Sequence, residues 1–415
     1  MREQFSHDLI PSSNNSRSPI SSLFLVLVLD DAASKPPMQN LIQKFVVSLS
    51  ALGVTASLFA HPDHGDAYPP VAAVDLATGQ EVIGHNGLRY RVNRDWSQAD
   101  RAVAPVTNAH AMIEDSEGQI YLVTDDMANA FIVYEKDGTF VRSFGEDLKG
   151  GHGIHLITLD GEEHLIHVDG GWQQTKPSAW EWDRVNGGVT ILRKDGTIRL
   201  RLPSPHELGV FDAEERYQPC DVAITPDNDI LVADGYTSDR VLHYKPDGML
   251  VRIWGGPNPG DPGHLKNAHG ISIDSSDPQN PKVWVSSRAE NKLKAFPLEG
   301  KWLETIDLPG ARAGQAFIRD DKLYTGVCWS LENGVDKQLA ESGFVLVLDY
   351  KTRRVVSAPG GTEPTYVDGT LQPMHQAEKI FKHVHDLYVD AEGDIYVGEW
   401  NSGNRYPYKL ELIHE

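Results

Sequence analysis

Four histidines in this 415-residue chain open segments that otherwise look alike: His110 in HAMIED, His152 in HGIHLI, His269 in HGISID and His385 in HDLYVD. A neutral imidazole offers one nitrogen lone pair to a metal, and three such groups with a fourth position left open make the donor set of a catalytic zinc ion. The four are far apart in sequence, so that chemistry needs a fold that brings equivalent strand starts to one point. The competing reading is structural, since a histidine at a strand start is often simply hydrogen-bonded, and four equivalent ones can be a habit of a repeat. Two further segments of the same kind carry Cys220, and Gln315 or its neighbours, at this place, so the repeat itself does not demand histidine. His155, His164 and His167 read as ordinary strand or surface residues, and His61 and His64 as parts of an exposed terminal arm.

The elements that must position these residues repeat. Each unit has an alternating apolar strand, an Asp-x-x-Gly or similar turn, a second strand ending in Asp, and a third strand with an Asp-Gly turn. HAMIEDSEGQIYLVTDD from His110, CDVAITPDNDILVADGY from Cys220, HGISID from His269 with VWVSSR and KLKAF, and HDLYVDAEGDIYVGEW from His385 are clear copies; looser ones begin at Gly151 and Gln315. Alternation over about five positions is the period of a half-buried strand. Asp137-Gly138, Asp195-Gly196 and Asp247-Gly248 supply the positive φ of tight hairpins. Hairpin-linked strands recurring every roughly 40 to 50 residues predict an all-β fold, a six-bladed β-propeller of four-stranded antiparallel blades over 88–415. The innermost strands of a propeller start at its axis, which would gather the histidines at a central channel. LRYRVNRDW, from Leu88 to Trp96, is a candidate strand for closing the last blade. Residues 170–188 and 355–380 are too long and too rich in Gly, Pro and aromatic residues for turns, and read as loops over one face.

A formal charge of −21, with no run of Lys and Arg, excludes nucleic acid as a partner. Residues 38–60 have a Lys-bearing start, an apolar stretch from Phe45 to Phe59 and small residues near Ala60, the pattern of a secretory signal peptide. This predicts cleavage near Ala60, a secreted or periplasmic chain with no membrane span once mature, Met38 as initiator, 1–37 as an upstream segment and 61–87 as an N-terminal arm. A membrane anchor would need about 20 apolar residues, more than are present. Cys220 and Cys328 are the only cysteines; they either pair in an oxidising compartment or are two buried small hydrophobes. We expect a monomer.

QPCDVAITPDNDILVADGYTSDRVLHYKPDGMLVRIWG, followed by NAHGISID, VWVSSRAENKLKAF and VHDLYVDAEGDIYVGEW, resembles the peptidylglycine α-hydroxyamidating lyase family of NHL propellers over about residues 216–300 and 383–400. The resemblance implies zinc held by His152, His269 and His385, a catalytic tyrosine at Tyr236 and an arginine at Arg288. It also implies a structural calcium at Asp386, with the backbone carbonyl of Ile154 as a second ligand. His110 is a candidate extra ligand that the family pattern does not explain. The family's other active-site arginine has no clear counterpart, with Arg91 and Arg94 as candidates. The implied reaction splits the C–N bond of a carboxylate-bearing α-hydroxyglycine, small or peptide-derived, to an amide and glyoxylate, without the copper monooxygenase domain that would make that substrate. Two other readings stand beside it: a calcium- or zinc-dependent lactonase or esterase, which calls for axial carboxylates, and a non-catalytic module binding protein or glycan through Trp172, Trp180 and Trp182.

Overall fold

The alternating segments form strands, and successive hairpins place them side by side. The computed structural model describes residues 75–76, 80–176, 181–332 and 335–414, all within the unit Ser57–Glu415. The expected signal segment, the segment before it, and His61 and His64 lie outside the described residues.

Six antiparallel sheets follow one another. Blade 1 is Ala109–Glu114, Ile120–Thr124, Phe131–Tyr134 and Phe140–Phe144, and blade 2 is Gly151–Leu159, Glu162–Asp169, Gly188–Arg193 and Ile198–Arg201. Blade 3 is Asp221–Ile224, Ile230–Asp234, Arg240–Tyr244 and Leu250–Gly255; blade 4 is Ala268–Asp274, Lys282–Ser287, Lys292–Phe296 and Glu304–Asp307. Blade 5 has a broken inner strand, Ala311–Ala313 and Phe317–Arg319, both pairing with Lys322–Ser330, then Phe344–Asp349 and Arg354–Ser357. Blade 6 takes Val384–Val389, Ile395–Glu399 and Tyr408–Leu412 from the C-terminal end of the chain, and its outer strand is Leu88–Asn93. Neighbouring inner strands pack against each other, and that of blade 6 meets that of blade 1, so the ring is closed. The fold is a six-bladed β-propeller.

Several expectations are refined by these sheets. Leu88–Asn93 does close the last blade, but Gln80–His85 pairs with it and Asp75–Leu76 pairs in turn with Gln80–His85, so much of the expected arm is already sheet. Residues 170–188 are not a plain loop: Trp172–Lys176 and Glu181–Arg184 form a hairpin beyond blade 2. Within 355–380, the first residues still belong to the outer strand of blade 5, and Tyr366–Val367 pairs with Thr370–Leu371. Cys220 and Cys328 are buried free thiols. Among the described residues no helix is long and apolar enough to cross a membrane.

Each blade is buried against the next through its alternate residues. Ring closure is the vulnerable joint, because it links strands at opposite ends of the chain: Tyr90 on the closing strand is fully buried with Ile83, Ile395, Val397 and Leu410. Replacing a buried aromatic by alanine costs the transfer free energy plus the cavity left behind. Tyr90→Ala should therefore lower stability by about 3–5 kcal/mol in a denaturant titration, whereas replacing exposed Val367 by alanine should move it by less than about 0.5 kcal/mol.

Candidate metal centre

The four histidines are set on the channel by one repeated irregularity. In blade 1 Ala109 pairs with Thr124 and Ala111 with Val123; in blade 2 Gly151 pairs with Asp169 and Gly153 with Val168; in blade 6 Val384 pairs with Glu399 and Asp386 with Gly398. His110, His152 and His385 are thus each the extra residue of a β-bulge, and in blade 4 the register slips across His269 and Gly270. A bulge residue leaves the ladder and turns its side chain out of the strand's alternation. Glycine beside the bulge lets the blades touch at the axis: a Cβ on Gly270 would lie 2.4 Å from Gln315 Cα, and one on Gly153 would lie 2.9 Å from the Cys220 carbonyl oxygen.

All four imidazoles are buried and meet. Ring centroids are 4.4 Å apart for His110 and His385, 4.5 Å for His152 and His385, and 4.8 Å both for His152 and His269 and for His269 and His385. One nitrogen atom from each of His110, His152 and His385 lies within 4.8 Å of the others. His269 stands beside this group, with Nε2 3.2 Å from Tyr236 Oη.

Hydrogen bonds fix where the protons are. His152 Nδ1 faces the Cys220 carbonyl at 2.6 Å, and His385 Nδ1 faces the His110 carbonyl at 3.2 Å. Carbonyl oxygens only accept, so both nitrogens carry hydrogen. His110 Nε2 likewise donates to Asp125 Oδ2 at 2.8 Å. The remaining nitrogens, His110 Nδ1, His152 Nε2 and His385 Nε2, are left as lone pairs, with His385 Nε2 3.3 Å from the first and 3.1 Å from the second. The Tyr236 hydroxyl lies 2.8 Å from His152 Nε2 and can donate to that lone pair, but to one only. Protonation offers little relief, because burial first, and then His110, His152 and Arg288, hold the imidazole of His385 well below its usual range. What fits is a cation among the nitrogens. Two ligands at about 2.0–2.1 Å from one tetrahedral zinc would be about 3.3 Å apart, close to the two separations from His385 Nε2.

Tyr236 and Arg288 are both at this place. Arg288 is buried, its Nε donates to Asn267 Oδ1 at 2.6 Å, and its guanidinium lies 5.1 Å from the Trp329 ring. Its Nη2 has no hydrogen-bond partner. Burial pushes the Tyr236 phenol well up, the nearby Cys220 thiol adds to this, and the charge of Arg288 acts in the opposite sense. The hairpin over blade 2 walls this corner: Trp172 packs against Tyr236, while Arg184 crosses the Trp172 ring at 5.2 Å and donates to the Tyr236 carbonyl at 2.8 Å. Trp182 is half-buried, and Trp180 lies outside the described residues.

A small cavity of about 10 Å³, room for about one water-sized occupant, is bounded by His152, His269, His385, Asp221, Asp386 and Gln315. Asp221 and Asp386 are both buried there. Asp221 accepts from the backbone N–H groups of Val222 and Ile271 and from Gln315 Nε2, and Asp386 from the N–H of Leu387. Burial raises both carboxyls, Asp386 up to about 7, and the Asp386 charge raises Asp221 further. Neither forms an ion pair among the described residues, and a pair of carboxyl oxygen donors that a cation would hold ionised suits a hard ion such as calcium. Ile154 follows Gly153 in the inner strand of blade 2 and does not border the cavity; the second side chain here is Asp221.

Arg91 and Arg94 are not at the channel. They lie on or just past the closing strand, paired with Glu411 and Glu81, because that strand is on the side of blade 6 away from the axis. His164 and His167 are buried in the second strand of blade 2, away from this group. Sequence reasoning missed Asp125, Asp221, Arg184 and Arg312. Asp221 had a signal, since it follows Cys220 as Asp386 follows His385; the other three depend on bulges and the hairpin.

No family model matches the chain. It is 25% identical over 207 residues to peptidyl-glycine alpha-amidating monooxygenase B of Xenopus laevis, covering 45% of this chain and 20% of that protein. It is 28% identical over 206 residues to peptidylglycine alpha-amidating monooxygenase of Rattus norvegicus, covering 46% of this chain and 18% of that protein. The matches thus span a fifth or less of these curated relatives. A catalytically inactive virginiamycin B lyase from Staphylococcus aureus, solved with quinupristin, aligns with a TM-score of 0.44 at 13% identity over 83% of this chain and 95% of that one. The chain is a six-bladed propeller that resembles the amidating enzymes in sequence.

Asp125 is the partner that aims His110 Nδ1 at the other imidazoles, and it also accepts from Asn108. Outer partners of this kind set ligand orientation, and losing one typically costs 10–100-fold in metal affinity. Asp125→Asn should weaken metal binding by about that factor in a chelator competition, while the near-ultraviolet circular dichroism of the apoprotein stays unchanged.

Proposed function

We propose that this chain is a zinc-dependent lyase that splits the C–N bond of a carboxylate-bearing α-hydroxyglycine, giving an amide and glyoxylate. The observation that carries the reading is the set of three converging imidazole lone pairs with Tyr236 and Arg288 around it. Likeness to the amidating enzymes favours this chemistry over other metal-dependent reactions of the same scaffold. His110, His152 and His385 would hold the ion, with His269 beside Tyr236 as the neighbouring donor. When bound, zinc supplies Lewis-acid stabilisation of developing negative charge and acidifies groups near it.

Arg288 takes the substrate carboxylate, for which its planar fork and open Nη2 are suited. Tyr236 Oη, between His152 Nε2 and His269 Nε2, accepts the proton of the substrate hydroxyl as its own phenolic proton passes to the departing nitrogen. The electrons of that O–H bond become the second C–O bond of the aldehyde as the C–N bond breaks, and the departing nitrogen takes a proton to finish as the amide. The Trp172 wall on one flank and Trp329 on the other limit the access of water. Asp221 and Asp386 form a second, calcium-type site that ties blades 3 and 6 together at the axis.

Glyoxylate release from α-hydroxyhippurate by the zinc-loaded chain is the direct assay. Tyr236→Phe should lose about 10²–10⁴-fold in kcat while keeping its zinc; a zinc-loaded wild type that releases no glyoxylate would overturn the reaction assigned. For the second site, calcium should raise the melting temperature of the wild type after chelator treatment and leave an Asp221→Asn, Asp386→Asn double variant unmoved. Equal shifts in both proteins would remove calcium from these carboxylates.

A further inference from the structure

Two guanidinium groups are buried side by side in a chain of strongly negative net charge. Arg288 and Arg312 are each only 3% exposed. Arg312 Nη1 donates to the backbone carbonyl of Arg288 at 3.1 Å, and Arg312 pairs across the sheet with Trp329, the residue whose ring faces the Arg288 guanidinium. The ladder also gives Arg312 a telling place. Ala311 pairs with Ser330 as Ala268 pairs with Ser287, so Arg312 follows its pairing residue as His269 does in the preceding blade.

Burying a cation is costly unless an anion and hydrogen bonds offset it. Among the described residues Arg288 has no carboxylate partner, and the one ion pair of Arg312 is with Asp336, whose side chain is 62% exposed. Arg288 Nη2 and Arg312 Nε have no hydrogen-bond partner. Asp336 is therefore a carboxylate that reaches in from solvent and can return to it when another anion takes its place on Arg312. Beside Asp336, though not bordered by either guanidinium, is an open cavity of about 490 Å³ whose lining includes Ala289, Glu290, Lys292, Glu332 and Val335, within the size range of small-molecule sites.

We propose that Arg312 is a second carboxylate-binding group of this mouth, covered by Asp336 until a ligand displaces it, and that the substrate carries a second acidic group near the one held by Arg288. The inference rests on the reading of Arg288 as a carboxylate clamp and adds a substrate class to it. Asp336 acts as an internal competitor that selects for twice-acidic compounds, since a single carboxylate is satisfied at Arg288 alone.

Calorimetric titration of the full chain with malonate, succinate and glutarate, against acetate, propionate and butyrate at constant ionic strength, tests it without any need for turnover. The wild type should bind the best dicarboxylate at least about tenfold more tightly than any monocarboxylate. Asp336→Asn should tighten dicarboxylate binding by a further factor of about ten and leave monocarboxylate binding unchanged, and Arg312→Gln should abolish the preference. Monocarboxylates and dicarboxylates binding alike in the wild type and in Asp336→Asn would overturn the role of Arg312 while leaving Arg288 as the clamp. No carboxylate binding in either protein would overturn both. Should Arg312→Gln fail to fold, the comparison of wild type with Asp336→Asn still decides.

Discussion

Three imidazoles whose outer nitrogens are spent on fixed acceptors, and whose inner nitrogens face one another as lone pairs, are the constraint around which the centre of this propeller is built. Neutral acceptors at 3.1–3.3 Å repel unless a cation lies among them. Two of the outer acceptors come from a neighbouring blade: the Cys220 carbonyl of blade 3 orients His152 of blade 2 and the His110 carbonyl of blade 1 orients His385 of blade 6, while Asp125 orients His110 within blade 1. The geometry thus requires the closed ring, and closure depends on a strand from the N-terminal side of the sheet pairing with the C-terminal one. Local stability and site geometry are coupled through this joint.

Charge is arranged with unusual economy around that centre. The chain is strongly acidic as a whole, yet Arg184, Arg288 and Arg312 surround Tyr236 and the Trp329 corner, while Asp221 and Asp386 share the small axial cavity. Cations around Tyr236 and Trp329 beside carboxyls in the axial cavity suit a site that admits an anionic ligand and could hold a metal ion. The same separation holds the imidazole of His269 well below its usual range, by burial first and the charge of Arg288 next. Neutral imidazole is the form that ligates.

Much of this was legible in the sequence because a propeller writes its architecture as a repeat. Period-2 alternation and Asp-Gly turns located the blades, and the equivalence of His110, His152, His269 and His385 predicted their convergence. What stayed hidden was whatever a period cannot encode. A β-bulge shifts a side chain without changing the residues that flank it, so the roles of Asp125 and of His110 as a member of the lone-pair triad depend on register alone. The hairpin of Trp172–Lys176 and Glu181–Arg184 interrupts the repeat and read as a loop, hiding Arg184. Arg312 was obscured because blade 5 breaks its inner strand at Gly314 and Gln315, which moves the alignment of the copies. Arg91 and Arg94 were misplaced since nothing in a repeat says which edge of a blade the closing strand occupies.

The most direct test of the centre is zinc K-edge X-ray absorption on the purified, zinc-loaded chain. The account predicts one zinc per chain with first-sphere scatterers at about 2.0–2.1 Å and the multiple-scattering pattern of at least three imidazoles, reduced by one in His110→Ala. A chain that binds no zinc, or binds it with fewer than three imidazoles in the wild type, would contradict it.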